Sequence, residues 1–374
     1  MNTLPSDESN RILQQWFERL GVASDASDGP AERSDEHDAA REESPPTETL
    51  LLSIQRPLMA CEFEVLLNQH QYSQGPAAAM AALDRVEHIE RLLSVYRPDS
   101  ELSTLNRFSA QRAVSLSVET LTLLQLARDL WRITGGAFDI TAGSLSEAWG
   151  FSRRQARMPK EEEIQQALCQ VGQALLEIDP QTSTARLLRP GVRVNPGGIG
   201  KGYALDRAAR LMRDRGVHDF LFHGGKSSVL GVGHRQHPDT GGGWLVRVND
   251  PLREQQTLGS IRLRNRALGT SGSGKQFFHY GGRRFSHIID PRTGWPAEGL
   301  LSTTVVCPSG AIADALATAF FVMGLEAAAD FCARHPSISA ILVAPGAGRP
   351  QIHTFNTNDD LWQPDPAYAT QTEQ

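Results

Sequence analysis

Asn195-Pro196-Gly197-Gly198-Ile199-Gly200-Lys201-Gly202 runs straight into a helical pattern over 202–215. How this stretch is read decides the class of fold. A P-loop, G-x-x-x-x-G-K-[ST] between a strand and a helix, would imply a parallel α/β sheet. That motif needs Gly where Asn195 stands and Ser or Thr where Gly202 stands, so it fails at two positions, and G-x-G-x-x-G does not fit either. What remains is physical. Glycines let the backbone approach a ligand closely, a helix N-terminus favours phosphate, and Lys201 adds a point charge. A tight strand-to-helix connection is the competing account.

Outward from this stretch the strands come in groups. Strand patterns at 50–54 and 58–67 precede a helix at 77–93 with Met80, Leu83, Val86, Ile89 and Leu92 or Leu93 on one face. Helices also fit 118–134, stopped by Gly135-Gly136, and 160–170, with acids in its first turn. Further strands fit 220–222, 228–230, 244–248, 260–263 and 302–307, with a hairpin about Gly281-Gly282. Helices at 311–323 and 326–334 and a strand at 339–343 follow. Grouped strands without strict β-α-β alternation predict an α+β fold. The expected organisation is an acidic, disordered segment over 1–49, one domain over 50–360 and a tail over 361–374. Within the first segment, Ile12, Leu13, Trp16, Phe17 and Leu20 have helical spacing, so a docked amphipathic helix is the alternative to a solvated tail.

The formal charge of −6 is unevenly spread: residues 23–49 hold nine acids against two arginines. The rest of the chain is near neutral, and no basic stripe points to nucleic acid. Cys61, Cys169, Cys307 and Cys332 are scattered without C-x-x-C, which argues against a zinc ribbon or dithiol site. No run of about 18 apolar residues suggests a membrane span. The start lacks a basic region followed by an apolar one, so the expected location is cytoplasmic. Leu58-Met59-Ala60-Cys61 looks like a lipoprotein box, but polar Gln55 and Arg56 stand where an apolar run should be, and it is taken as coincidence.

Four further stretches can carry chemistry. In Ala311-Ile-Ala-Asp314-Ala-Leu-Ala317-Thr318, Asp314 and Thr318 share a helix face. They are hard oxygen donors of the kind Mg²⁺ takes beside phosphate oxygens; an acid near a helix start also suits the dipole. His287, in Ser286-His287-Ile288-Ile-Asp290-Pro, fits a general base for a hydroxyl, or a structural histidine. Gly136-Ala137-Phe138-Asp139 offers a ring to stack and an acid to accept hydrogen bonds, or ordinary loop packing. Tyr96 precedes Ser100, which suits a helix cap.

Taken together and in this order, these stretches resemble the FAD:protein FMN transferase family, also called the ApbE family. The resemblance spans about 58–325 and rests on 96–106, 136–139, 197–206, 287–294 and 313–318. It implies a T-fold-like α+β protein, mixed sheets packed with helices, with FAD in a cleft between subdomains. It places Met59, Tyr96, Ala137, Phe138, Asp139, Asn195, Lys201 and Ile288 at FAD-contacting positions. Gly198, Asp314, Ala317 and Thr318 match the Mg²⁺ site, and His287 and Asp314 the catalytic positions. The implied reaction splits FAD, attaches FMN to a Thr or Ser hydroxyl of an acceptor flavoprotein and releases AMP.

The chain also departs from the family pattern. Met59-Ala60-Cys61 replaces Met-Gly-Thr, Asn195 replaces Asp, and Gly224-Gly225-Lys226 replaces Gly-Gly-Asp. A Mg²⁺-dependent FAD pyrophosphatase and a non-catalytic flavin-binding protein are the alternatives at the same site.

Overall fold

The computed structural model describes residues 4–22 and 50–368, apart from 109, 154, 237–241, 254, 273, 275 and 276. The first elements are α1 (Ser6–Leu20), β1 (Leu51–Leu58), β2 (Cys61–Asn68), α2 (Gly75–Leu93), α3 (Glu101–Arg107), β3 (Val114–Ser115) and α4 (Val118–Ile133). Next come α5 (Gly143–Ala148), α6 (Glu161–Leu168), β4 (Leu176–Asp179), β5 (Thr184–Leu187), α7 (Gly200–Asp214), β6 (Phe220–Gly224) and β7 (Ser228–Val232). Then follow β8 (Trp244–Asn249), β9 (Thr257–Leu263), β10 (Arg266–Gly272), β11 (Phe277–Tyr280), β12 (Arg283–Ser286) and β13 (Ser302–Cys307). The last are α8 (Gly310–Arg334), β14 (Ser339–Ala344), β15 (Gln351–Phe355) and β16 (Trp362–Pro364). Eight strands form the central sheet in the order β1-β2-β6-β7-β10-β13-β14-β15, each neighbouring pair antiparallel. Smaller antiparallel sheets are β16-β9-β8, β3-β5-β4 and the hairpin β11-β12. This is the α+β arrangement that grouped strands predict.

The central strands are covered on both faces. Phe220, Phe222, Leu230, Val305 and Leu342 join the core built with α2, α4, α7 and α8. The alternate residues Leu221, Val229, Leu268, Val306 and Ile341 join a second core with Trp244, Leu258, Ile261 and Trp362 of the three-stranded sheet. Successive side chains point to opposite faces, so β13 is buried at all of its positions. On α2 the buried face runs through Ala79, Leu83, Val86, Ile89 and Leu93, and the expected Met80 instead points outward at 50% exposure.

Helix α8 crosses α7 at very close range. A Cβ on Gly202 would lie 2.0 Å from the Gly310 carbonyl oxygen, so only glycine fits. Asp206, fully buried on α7, closes the junction by accepting from Ser309 Oγ at 2.7 Å, Gly310 N–H at 2.7 Å and Ala311 N–H at 3.0 Å. The two N–H groups are orphan donors of the first turn of α8, which need acceptors when buried. Gly324, at φ 80°, breaks α8 into two shorter helices, where the sequence pattern separates 311–323 from 326–334. By length and composition α8 would reach across a bilayer, but most of its apolar stretch is buried inside the fold; its residues Ala313, Leu316 and Phe320 lie in the main core.

Both ends of the chain depart from expectation. The solvated-tail reading fails for residues 6–20: they form α1, whose Leu13, Trp16, Phe17 and Leu20 are buried in the main core. Trp16 Nε1–H donates to Asp129 at 3.0 Å, and Ser9 Oγ lies 2.7 Å from His335 Nε2. The physical reason is the apolar stripe itself: burying each such side chain contributes about 1.5–3 kcal/mol. The acidic stretch 23–49 lies outside the described residues. At the other end the domain continues past 360, because Leu361, Trp362 and Tyr368 are buried in the second core; 369–374 lie outside the described residues.

Two measurements check this packing. Phe17→Ala should cost about 3–5 kcal/mol in thermal denaturation; an unchanged melting curve would show that α1 does not dock. Asp206→Ala should cost about 2–3 kcal/mol in urea unfolding, because it strands buried donors, and Asp206→Asn should recover part of the loss.

Candidate functional site

The loop into α7 is shaped by Asn195. Its Oδ1 accepts from Gly197 N–H at 3.0 Å, a local turn that a neutral amide supports as well as a carboxylate does. Its own N–H donates to the Ile140 carbonyl at 2.8 Å, tying the loop to the 138–141 segment. Gly198 follows, and a Cβ there would stand 3.2 Å from Thr318 Oγ1 and 3.4 Å from the Phe138 ring. Gly198, Phe138 and Thr318 therefore meet at one place, brought from the α7 loop, the turn after α4 and the first half of α8.

Asp314 is the buried charge of this place. It accepts from Gly202 N–H at 2.7 Å and from Ser228 Oγ at 2.8 Å. Burial pushes its carboxyl above the ordinary carboxylate range, opposed by the positive charge of Lys201 and by these donors. Lys201 Nζ donates to Ser227 Oγ, so the turn from β6 to β7 holds both the cation, through Ser227, and the anion, through Ser228. One turn along α8, Thr318 Oγ1 donates to the Asp314 carbonyl at 3.2 Å and lies 3.0 Å from Ser271 Oγ. The Ala317 carbonyl, within α8, accepts from Thr303 Oγ1 at 2.6 Å.

This donor set suits a hard cation. One carboxylate, carbonyl oxygens and a hydroxyl are what Mg²⁺ takes when substrate phosphates supply further ligands. Among the described residues no group of three or more His, Cys, Asp or Glu side chains is placed to hold a metal, so a zinc-type cage is not what this site offers.

The other expected residues lie as follows. Ala137 and Phe138 are buried in the main core. Asp139 Oδ1 accepts from Thr141 N–H at 2.8 Å and Thr141 Oγ1 at 2.6 Å, while burial pushes its carboxyl up against these donors. Met59 and Ala60, at φ 48° and 58°, form the two-residue turn between β1 and β2. A Cβ on Gly225 would stand 3.4 Å from Cys61 Sγ, so that turn neighbours the one holding Lys201. His287 meets the Phe151 ring edge-on, 6.4 Å between centroids, and Ile288 is buried with its carbonyl accepting from Ala297 N–H at 2.8 Å. Tyr96 is 77% exposed, in the loop between α2 and α3, where Ser100 caps α3 as its sequence suggests. Phe138, Gly198, Lys201, Asp314, Ala317 and Thr318 thus come together, while Tyr96 and His287 are carried on two other loops.

Sequence reading passes over Ser271 because β10 is not recognised in it, and over Thr303, on the expected strand 302–307, because nothing local ties that hydroxyl to α8. Arg266-Ala-Leu-Gly-Thr-Ser-Gly272 has two glycines and no clean alternation. The first of them explains itself in the fold: a Cβ on Gly269 would lie 2.5 Å from the Ala313 carbonyl carbon and the Asp314 nitrogen. The strand sacrifices its pattern to let α8 lie against it.

Known proteins share much of this sequence and this fold. An FAD:protein FMN transferase of Vibrio cholerae serotype O1 is 32% identical over 267 residues, 68% of this chain and 78% of that protein. One from Escherichia coli K12 is 31% identical over 252 residues, 66% and 70%. Among solved structures, the flavin transferase ApbE of Vibrio cholerae superposes with a TM-score of 0.73 at 26% identity, covering 84% of this chain and 99% of that one. The apo flavinyl transferase ApbE of Pseudomonas stutzeri gives 0.74 at 25% identity, covering 85% and 98%. The family model described as the ApbE family matches residues 59–342, and the chain belongs to that family.

Proposed function

We propose that this chain is an FAD:protein FMN transferase that uses Mg²⁺, moves FMN to a Thr or Ser hydroxyl of an acceptor flavoprotein and releases AMP. The observation that carries the reading is the pairing of Lys201, at the start of α7, with the buried Asp314 of α8 across one turn, Ser227-Ser228. A pyrophosphate is the substrate group that matches a lysine, a helix N-terminus and a hard-cation site at one place.

The residues then divide the work. Lys201 and the positive end of the α7 dipole would neutralise phosphate charge, which grows on the leaving side in the transition state. Asp314, Thr318 and the Gly198 and Ala317 carbonyls would hold Mg²⁺, which supplies further charge neutralisation when bound. Phe138, with Met59, Tyr96 and Ile288, would line the flavin and nucleotide, and Asp139 and Asn195 would orient them. The acceptor oxygen attacks the FMN-side phosphorus, its proton passes to His287, and the phosphoanhydride bond to AMP breaks. Such a displacement depends on positioning more than on covalent help from the enzyme.

The direct test is FAD, Mg²⁺ and candidate acceptor proteins read by mass spectrometry. An FMN adduct on Thr or Ser with free AMP supports the reading; FMN and AMP without adduct would move it to a hydrolase. Asp314→Ala should lower turnover on the order of 100-fold, and undiminished metal-dependent turnover would remove Asp314 from the site. His287→Ala should lower kcat on the order of 100-fold while the KM for FAD moves less than about twofold; equal loss in both would make it a binding residue.

A further inference from the structure

The turn that holds Lys201 and Asp314 is itself held, by a histidine outside the site. His223 stands opposite Glu64 in the β2–β6 ladder. Its Nε2 lies 2.8 Å from Glu64 Oε2 and its Nδ1 lies 3.1 Å from the Gly225 carbonyl oxygen. Glu64 is fixed in turn by Ser53 Oγ, which donates to its Oε1 at 2.5 Å. A carbonyl only accepts, so the bond to Gly225 is one that Nδ1 donates.

Gly225 is the pivot of the turn. It is left-handed at φ 62°, and its N–H donates to the Glu62 carbonyl at 2.7 Å. Two residues later Ser227 receives Lys201 Nζ, and its carbonyl accepts from Thr270 N–H at 2.7 Å. Ser228 then donates to Asp314. By strand alternation His223 shares the face of Leu221, which packs in the second core away from α7 and α8. The ring acts on the site through the turn.

We infer that His223 is a positioning residue: backed by Glu64, it pins the Gly225 carbonyl and so sets the Ser227-Ser228 turn that aligns Lys201 with Asp314. The inference rests on the transferase reading for its catalytic consequence, and on the contacts above for its structural one. Two substitutions separate the two ring nitrogens. The amide of His223→Asn can donate from near the Nδ1 position and keep the bond to Gly225. The longer amide of His223→Gln reaches toward Glu64 and loses that bond.

The experiment measures hydrogen exchange in the peptide covering 224–229 of the full chain without FAD, and FMN transfer with FAD and acceptor. His223→Gln should speed exchange in that peptide and lower kcat/KM about tenfold each, with His223→Asn within about twofold of wild type in both. Equal behaviour of the two variants, or fast exchange in His223→Asn, would overturn the inference; should His223→Gln fail to fold, His223→Asn decides alone. A wild-type chain that transfers no FMN would count against the transferase reading, while the exchange data would still decide the role of His223.

Discussion

The contact on which the rest depends is the crossing of α7 and α8 at Gly202 and Gly310. No side chain fits between them: a Cβ at Gly202 would sit 2.0 Å from a carbonyl oxygen. Because the helices touch backbone to backbone, a main-chain N–H of one can reach a side-chain carboxylate of the other, as Gly202 does to Asp314. The same approach lets Asp206 supply the acceptors that the buried start of α8 lacks. A charge-bearing loop and a charge-bearing helix are thereby fixed with two rigid axes rather than with flexible side chains, which is the kind of support a precise site needs.

The sheet supplies the other side of this arrangement. β10 and β13 lie beneath α8, and Gly269, Ser271 and Thr303 show how closely: one glycine makes room, and two hydroxyls reach Thr318 and the Ala317 carbonyl. The second core, on the far face, keeps these strands from flexing toward solvent. Asp314 consequently sits in a dry environment with Gly202 and Ser228 as close donors, so small changes in its neighbours act strongly on it.

Legibility in the sequence followed the strength of local signals. The hairpin at Gly281-Gly282 and the break at Gly324 were plain, because left-handed glycines punctuate the pattern. The α7 loop and the Asp314–Thr318 spacing were plain as well, since both are local in the chain. β10 was not, since its Gly269 answers to α8, far along the chain. Neither were β3, β4, β5 and β15, which are short and paired by tertiary context. The burial of α1 was undecidable from its own stripe, because amphipathic spacing tells which face seeks cover and not whether cover exists. Ser227 and Ser228 carried no signal beyond their place after a glycine pair; only the fold shows what they hold.

That burial of α1 has a consequence for the order of assembly. Ser9 meets His335 across 326 residues of chain, and Asn10 meets the Arg334 carbonyl across 324. Contacts of such separation must wait for loop closure, and they form slowly. The partner surface of α1 is completed only when the second half of α8 has emerged and folded. α1, made well before the segment it docks on, is thus among the last elements to reach its seat, and until then its tryptophan and phenylalanine are apolar surface that the nascent chain must keep from other partners.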